Sequence, residues 1–139
     1  MCRRLESYPI PYTLVHGDLH VGNAARMGGN IVFFDWTDAA VSHPFFDLHS
    51  LQWEANAAER RDLRAAYMAV WEESISSSLL HEAGAVADVL LPLYHAVSYQ
   101  HIHAGIEPAA RVEIAHPAEF LVTLLQQVEA YLQKETEAA

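Results

Sequence analysis

One short stretch gathers side chains that could do chemistry: Leu14-Val15-His16-Gly17-Asp18-Leu19-His20-Val21-Gly22-Asn23, followed by Phe33-Phe34-Asp35-Trp36. Asp18 and Asp35 bring carboxylates, Asn23 a neutral amide oxygen, and all are hard donors. Such a set suits the transfer of a phosphoryl group. That reaction needs a carboxylate to orient an attacking hydroxyl and accept its proton, and oxygen ligands for Mg²⁺, which keeps waters and nucleotide phosphates in its remaining positions. Asp18 is the candidate catalytic base, and Asn23 and Asp35 are the candidate metal ligands. His16 is expected to hydrogen-bond the loop backbone. His20 is expected either to contact phosphate or to pack. A competing set is His16, Asp18 and His20, which alternate and would share one face of an extended segment as ligands for the zinc of a hydrolase. That reading leaves Asn23 and Asp35 without a role.

The elements that must position these residues change character along the chain. Residues 12–36 read as short apolar strips broken by glycines, the grammar of strands and tight loops. Tyr12, Leu14 and Val15 lead into the loop. Residues 24–27 and 31–34 flank Gly28-Gly29-Asn30, which predicts a hairpin. Beyond Pro44 the pattern is helical, with helices expected over 46–56, 58–73 and 86–103 and a last one opened by Pro117. Leu63, Tyr67, Val70 and Trp71 form a stripe on the second of these, and Val89, Leu90, Leu93, Tyr94 and Val97 on the third. On the last, Phe120, Leu121, Leu124, Leu125, Val128, Tyr131 and Leu132 make a heptad-like seam. All three stripes are expected to be core. Ser76-Ser77-Ser78 reads as a linker.

The loop has the form H-x-D-x-x-x-x-N, the spacing of a protein-kinase catalytic loop, with Asp35 where the aspartate of D-F-G would fall. H-G-D-L-H-x-G-N with F-F-D-W resembles the aminoglycoside phosphotransferase, choline kinase and homoserine kinase group of the protein-kinase-like fold. The resemblance is specific over residues 16–48. It implies a catalytic base at Asp18, metal ligands at Asn23 and Asp35, and ATP with Mg²⁺ as co-substrate and cofactor. Pro44-Phe45-Phe46-Asp47-Leu48 resembles the group's helix-opening segment, in which Asp47 would support the loop. From the residues alone, Asp47 is expected to brace a helix N-terminus. Trp36, where protein kinases carry Phe then Gly, is expected to pack.

The implied fold is mainly α with a small β-hairpin: the C-terminal lobe of an aminoglycoside phosphotransferase-type kinase, its N-terminal lobe absent. Residues 1–139 are expected to form a single domain, with the catalytic loop and metal hairpin over 12–36 and a helical, substrate-side subdomain over 44–135. Lys134 is the sole lysine and follows Asp35, so no lysine precedes the loop to pair the phosphates. The expectation is a truncated lobe, weak or inactive alone, whose partner is the missing lobe or a second copy covering the exposed face. A non-catalytic docking module is the alternative.

A formal net charge of −10 with eight Lys and Arg excludes a polyanion such as nucleic acid as a natural partner and suits a cationic small-molecule substrate. Glu54, Glu72, Glu73 and Asp88 are acids where such a cation could be held, with no one of them singled out. Cys2 is the single cysteine, so no internal disulfide forms. The N-terminal stretch lacks the apolar centre of a signal peptide, and no apolar run reaches a membrane span, so a cytoplasmic location is expected.

Overall fold

The computed structural model describes residues 1–51 and 55–137, His49 apart from its side chain. The chain divides into two compact units, Met1–Asp88 and Val89–Ala139. Its elements are mostly helical with small antiparallel sheets, as the sequence pattern implies.

In the first unit a short helix α1 (Cys2–Glu6) buries Leu5, and strand β1 (Thr13–Val15) then carries the chain into the loop. The hairpin follows as β2 (Ala24–Met27) and β3 (Asn30–Phe33), with Met27 opposite Asn30. Its turn is therefore Gly28-Gly29 alone, both with positive φ, the backbone that a two-residue turn needs if it is to follow the strand twist. Asn30 belongs to the strand, not to the turn as expected. A further strand, β4 (Ala40–Ser42), pairs with β1 in the register Leu14↔Val41. Ala-Val-Ser has too little alternation to announce a strand. Its pairing clamps the base of the whole loop-and-hairpin excursion.

Helix α2 (Phe45–Leu51) covers the start of the expected 46–56 helix, and residues 52–54 of that expectation lie outside the described residues. Phe45 and Leu48 are each 1% exposed. Burying side chains of this size stabilises the fold by about 2 kcal/mol apiece. Helix α3 (Ala57–Trp71) starts on a capping box: the Asn56 side chain accepts the Ala58 and Glu59 amides, while the Glu59 carboxylate accepts the Asn56 amide at 2.9 Å. Phe45 packs edge-on against Tyr67 and Trp71, and the Tyr67 hydroxyl donates to the Pro44 carbonyl at 2.9 Å. Met68, not the expected stripe, is the most deeply buried residue of α3, and Val70 is 71% exposed.

Helix α4 (Ser77–Gly105) begins well before the expected residue 86, so Ser77 and Ser78 open a helix and do not form a linker. Within the first unit it buries Leu80, Ala83, Val86 and Ala87. Arg64 of α3 pairs with Asp88 at 3.1 Å.

The second unit contains the remainder of α4, with Pro92 inside the helix, a 3₁₀ turn over Pro108–Glu113, and α5 (Pro117–Glu137). Val89, Leu90, Leu91 and Ala96 are buried, while Val97 is 51% exposed. Pro117 opens α5 as expected, but the seam is not core: Leu121, Leu125 and Leu132 are 43%, 65% and 57% exposed. At the start of the seam Phe120 packs on Tyr99 and His95. Among the described residues, no helix is long and apolar enough to cross a membrane.

Candidate active site

The loop between β1 and β2 is held from below by one carboxylate. Asp47, in the first turn of α2, accepts the His16 amide on Oδ2 at 2.7 Å and the Gly17 amide on Oδ1 at 3.0 Å. Its side chain is thus turned onto the loop, not onto its own helix N-terminus. Burial pushes the Asp47 carboxyl above its ordinary value, and the two amides and the neighbouring His16 oppose that rise. Burial, with the Asp47 charge adding to it, pushes the Tyr67 phenol up to about 12.

Gly17 is needed twice over at this point. Its φ is +85°, and a Cβ there would strike the Asp38 carbonyl. His16 is 1% exposed. Its Nε2 lies 2.9 Å from the Phe34 carbonyl, which can only accept, so Nε2 carries the proton and Nδ1 accepts the Asp18 amide at 3.4 Å. One ring therefore ties the loop to the end of the hairpin. Trp36 lies against it, with ring centroids 4.7 Å apart, and donates its indole N–H to the Phe33 carbonyl at 3.0 Å. With both nitrogens engaged, His16 cannot ligate a metal, and the zinc set His16–Asp18–His20 is corrected on that ground.

Asp18 and Asn23 meet directly. The Asn23 amide nitrogen donates to the Asp18 carbonyl at 3.0 Å and to Asp18 Oδ2 at 3.3 Å, which leaves the Asn23 amide oxygen facing away from both. The Asn23 carbonyl accepts the Phe34 amide at 3.1 Å, one residue short of Asp35. Asp35 sits at φ 62°, ψ 60°, the sole non-glycine residue with positive φ among those described. Bulky residues avoid this left-handed conformation, and short polar ones accept it at a cost of about 1 kcal/mol. Asp35 Oδ1 accepts the Thr37 hydroxyl at 2.9 Å, so Oδ2 is the carboxylate oxygen left for other work.

His20 is the last of the expected residues. Its Nδ1 accepts the Gly22 amide at 3.1 Å and starts the short turn Val21–Asn23. Its Nε2 lies 3.5 Å from Asp18 Oδ2. His20 and Val21 also wall an open cavity of about 580 Å³, whose other described walls are Ser50, Leu51 and Ala55 on one side and Glu59, Asp62, Leu63 and Ala66 of α3 on the other. Glu59 and Asp62 were not among the expected acids. Their signal in the sequence was the spacing of three and four that sets residues 59, 62, 63 and 66 on one helical face. Of the acids that were named, Asp88 is taken by Arg64, Glu72 and Glu73 are exposed outside the cavity walls, and Glu54 lies outside the described residues.

A sequence model of the phosphotransferase enzyme family matches residues 3–85, more than half of the chain and nearly the whole first unit. The chain belongs to that family. No curated protein and no solved structure matches it.

Proposed function

We propose that the chain carries the catalytic centre of an ATP-dependent phosphotransferase, which moves the γ-phosphate to a hydroxyl of a small cationic molecule of the aminoglycoside, choline or amino-alcohol type. The observation that carries this reading is the junction of Asp18, Asn23 and the hairpin end, tied together through His16 and the Asn23–Phe34 backbone bond. Asp18 is 53% exposed at its side chain, as a base that receives substrate must be, and both its contacts fall on Oδ2. Oδ1 is then the oxygen for the incoming hydroxyl. It accepts the hydroxyl proton as the substrate oxygen bonds to the γ-phosphorus, while the bond from that phosphorus to the β,γ-bridging oxygen breaks and ADP leaves.

The donor set fits Mg²⁺. The Asn23 amide oxygen and Asp35 Oδ2 are hard oxygens left over after the site's own hydrogen bonds are counted. These two residues would hold the ion, which when bound neutralises charge on the transferring phosphates.

The reading includes a second, nucleotide-covering lobe. Its support is an apolar surface where the hairpin and the β1–β4 pair stand: Leu14, Ile31, Phe33, Phe34, Trp36 and Val41 are 41–75% exposed. The test uses MgATP with a panel of amino alcohols and aminoglycosides. Little turnover is expected from these 139 residues alone and full turnover once a nucleotide-covering lobe is supplied, with Asp18→Asn lowering kcat by about a thousandfold and leaving the fold intact. Retained transfer by Asp18→Asn overturns the assignment. The same apolar surface supports a second reading, a non-catalytic module that pairs with its own copy. A molar mass that halves on dilution in light scattering, with no transfer from the two-lobed protein, favours that reading instead.

A further inference from the structure

Resting on the phosphotransferase reading, we propose that Thr37 is a positioning residue: its hydroxyl makes Asp35 a one-oxygen metal ligand and so shifts the preference of the site toward Mg²⁺ and away from Ca²⁺.

The backbone around Asp35 leaves little to adjust. On one side the Phe34 amide donates to the Asn23 carbonyl at 3.1 Å, and the Phe34 carbonyl accepts from His16 Nε2 at 2.9 Å. On the other, the Trp36 indole N–H is held on the Phe33 carbonyl, and the Ala39 amide closes the 3₁₀ turn Trp36–Asp38 on the Trp36 carbonyl. With its neighbours pinned, Asp35 keeps its left-handed backbone, and only its side-chain torsions remain open. An aspartate that opens a turn ordinarily accepts an amide of that turn, and Asp35 accepts none. The Thr37 hydroxyl takes that place, donating to Oδ1 at 2.9 Å. It thereby decides which carboxylate oxygen is engaged within the turn and which is left for an ion.

The engaged oxygen keeps a lone pair, but it shares its charge with a hydroxyl proton that Oδ2 does not meet. An ion therefore finds one strong donor in Asp35, not a symmetric pair. Asn23 is fixed in the same sense, since its amide nitrogen donates to Asp18 at 3.0 and 3.3 Å and leaves only the amide oxygen. Two single oxygens suit the two cations unequally. Mg²⁺ keeps a near-octahedral shell, fills the rest of it with water and phosphate, and gains nothing from a carboxylate that chelates. Ca²⁺ takes roughly six to eight oxygens in looser geometry and gains when a carboxylate gives both of its own. A hydroxyl that spoils the chelate weakens Ca²⁺ binding and spares Mg²⁺.

The test follows the backbone amides of Asn23, Asp35 and Thr37 by nuclear magnetic resonance while the isotope-labelled chain, without nucleotide, is titrated with magnesium chloride and with calcium chloride. Thr37→Val is expected to tighten Ca²⁺ about fivefold and to leave Mg²⁺ within about twofold, and Thr37→Ser, which keeps the hydroxyl, to retain the wild-type ratio of the two affinities. Thr37 is exposed, so its valine variant keeps the fold. Asp35→Asn is expected to weaken both ions about tenfold, which separates this site from the acidic surface at large. A ratio that Thr37→Val moves by less than about twofold, a serine variant that behaves like the valine one, titrations indifferent to Asp35→Asn, or amides that respond to neither ion each overturn the proposal. The expected change in ratio, found while the wild-type protein with its second lobe transfers nothing, would sink the kinase reading and leave the role of Thr37 standing. Transfer by the two-lobed protein with an unmoved ratio would do the reverse.

Discussion

The loop-and-hairpin region of the first unit and helix α5 of the second carry equally loud sequence signals, and they end in opposite states. The loop is a run of polar and small residues, yet His16, Asn23 and Asp47 are buried, each hydrogen-bonded to a residue elsewhere in the loop, hairpin or α2. The seam of α5 is apolar at regular spacing, yet Leu125 is 65% exposed. Burial follows what the rest of the chain brings alongside, not the polarity of the segment itself. A periodic stripe reports a helix and its apolar face. It says nothing about whether a cover exists.

Variants in the two regions should differ sharply. Asp47→Ala removes a charged acceptor shared by two loop amides and is expected to destabilise the first unit by about 4 kcal/mol, since hydrogen bonds to a charged group contribute about 2 kcal/mol each and both donors are stranded. Chemical denaturation measures it. A loss under 1 kcal/mol would mean the loop does not depend on that carboxylate, and the contrast drawn above would fail.

A smaller effect is expected at His43, which is 2% exposed and whose Nδ1 accepts the Phe45 amide. Its Nε2 is buried with no partner among the described residues. Burial lowers its pKa from 6.5 to about 4. The unfolded chain therefore binds this proton first as the pH falls. Stability is at its full value above pH 6.5, is lost as the pH drops through the window from 6.5 to about 4, and the loss approaches 3 kcal/mol. His43→Asn keeps an acceptor for Phe45 and cannot titrate, so its melting temperature should stay flatter across that window. Parallel curves for the two proteins would show that His43 is not the group responsible.

The smallest effect sharpens the other half of the comparison. Leu125→Gln is expected to change stability by no more than about 0.5 kcal/mol, because the side chain is already mostly in water. A loss above 2 kcal/mol would mean that this part of α5 is covered in solution, and would return the seam to the role its heptad pattern suggests.

Much of the candidate site is readable because its chemistry is local in sequence. Asp18 and Asn23 stand in one loop, and Asp35 follows one hairpin later, so residue type and spacing alone narrow the reaction. What could not be read is equally specific. The partner of the loop, Asp47, lies 31 residues from His16, so its support of the loop came from the family resemblance alone, and the residues by themselves suggested only a helix brace. The cavity acids Glu59 and Asp62 look like the solvated face of α3 until Val21 and Leu51 stand opposite them. Strand β4 is invisible because three residues of Ala-Val-Ser make a strand only when β1 supplies the hydrogen bonds.

By itself the sequence determined α3 and α5, through their spacing and the proline that opens the latter, the hairpin, through the glycines of its turn, and the reactive residue types within one loop. These are short-range properties, set by backbone sterics and by neighbours a few residues apart. Tertiary structure alone decided which polar groups are buried with partners, which apolar stripe goes uncovered, and which acids face the cavity beside Asp18. Those outcomes depend on contacts between residues far apart in the chain, and no local pattern encodes which distant surface will arrive.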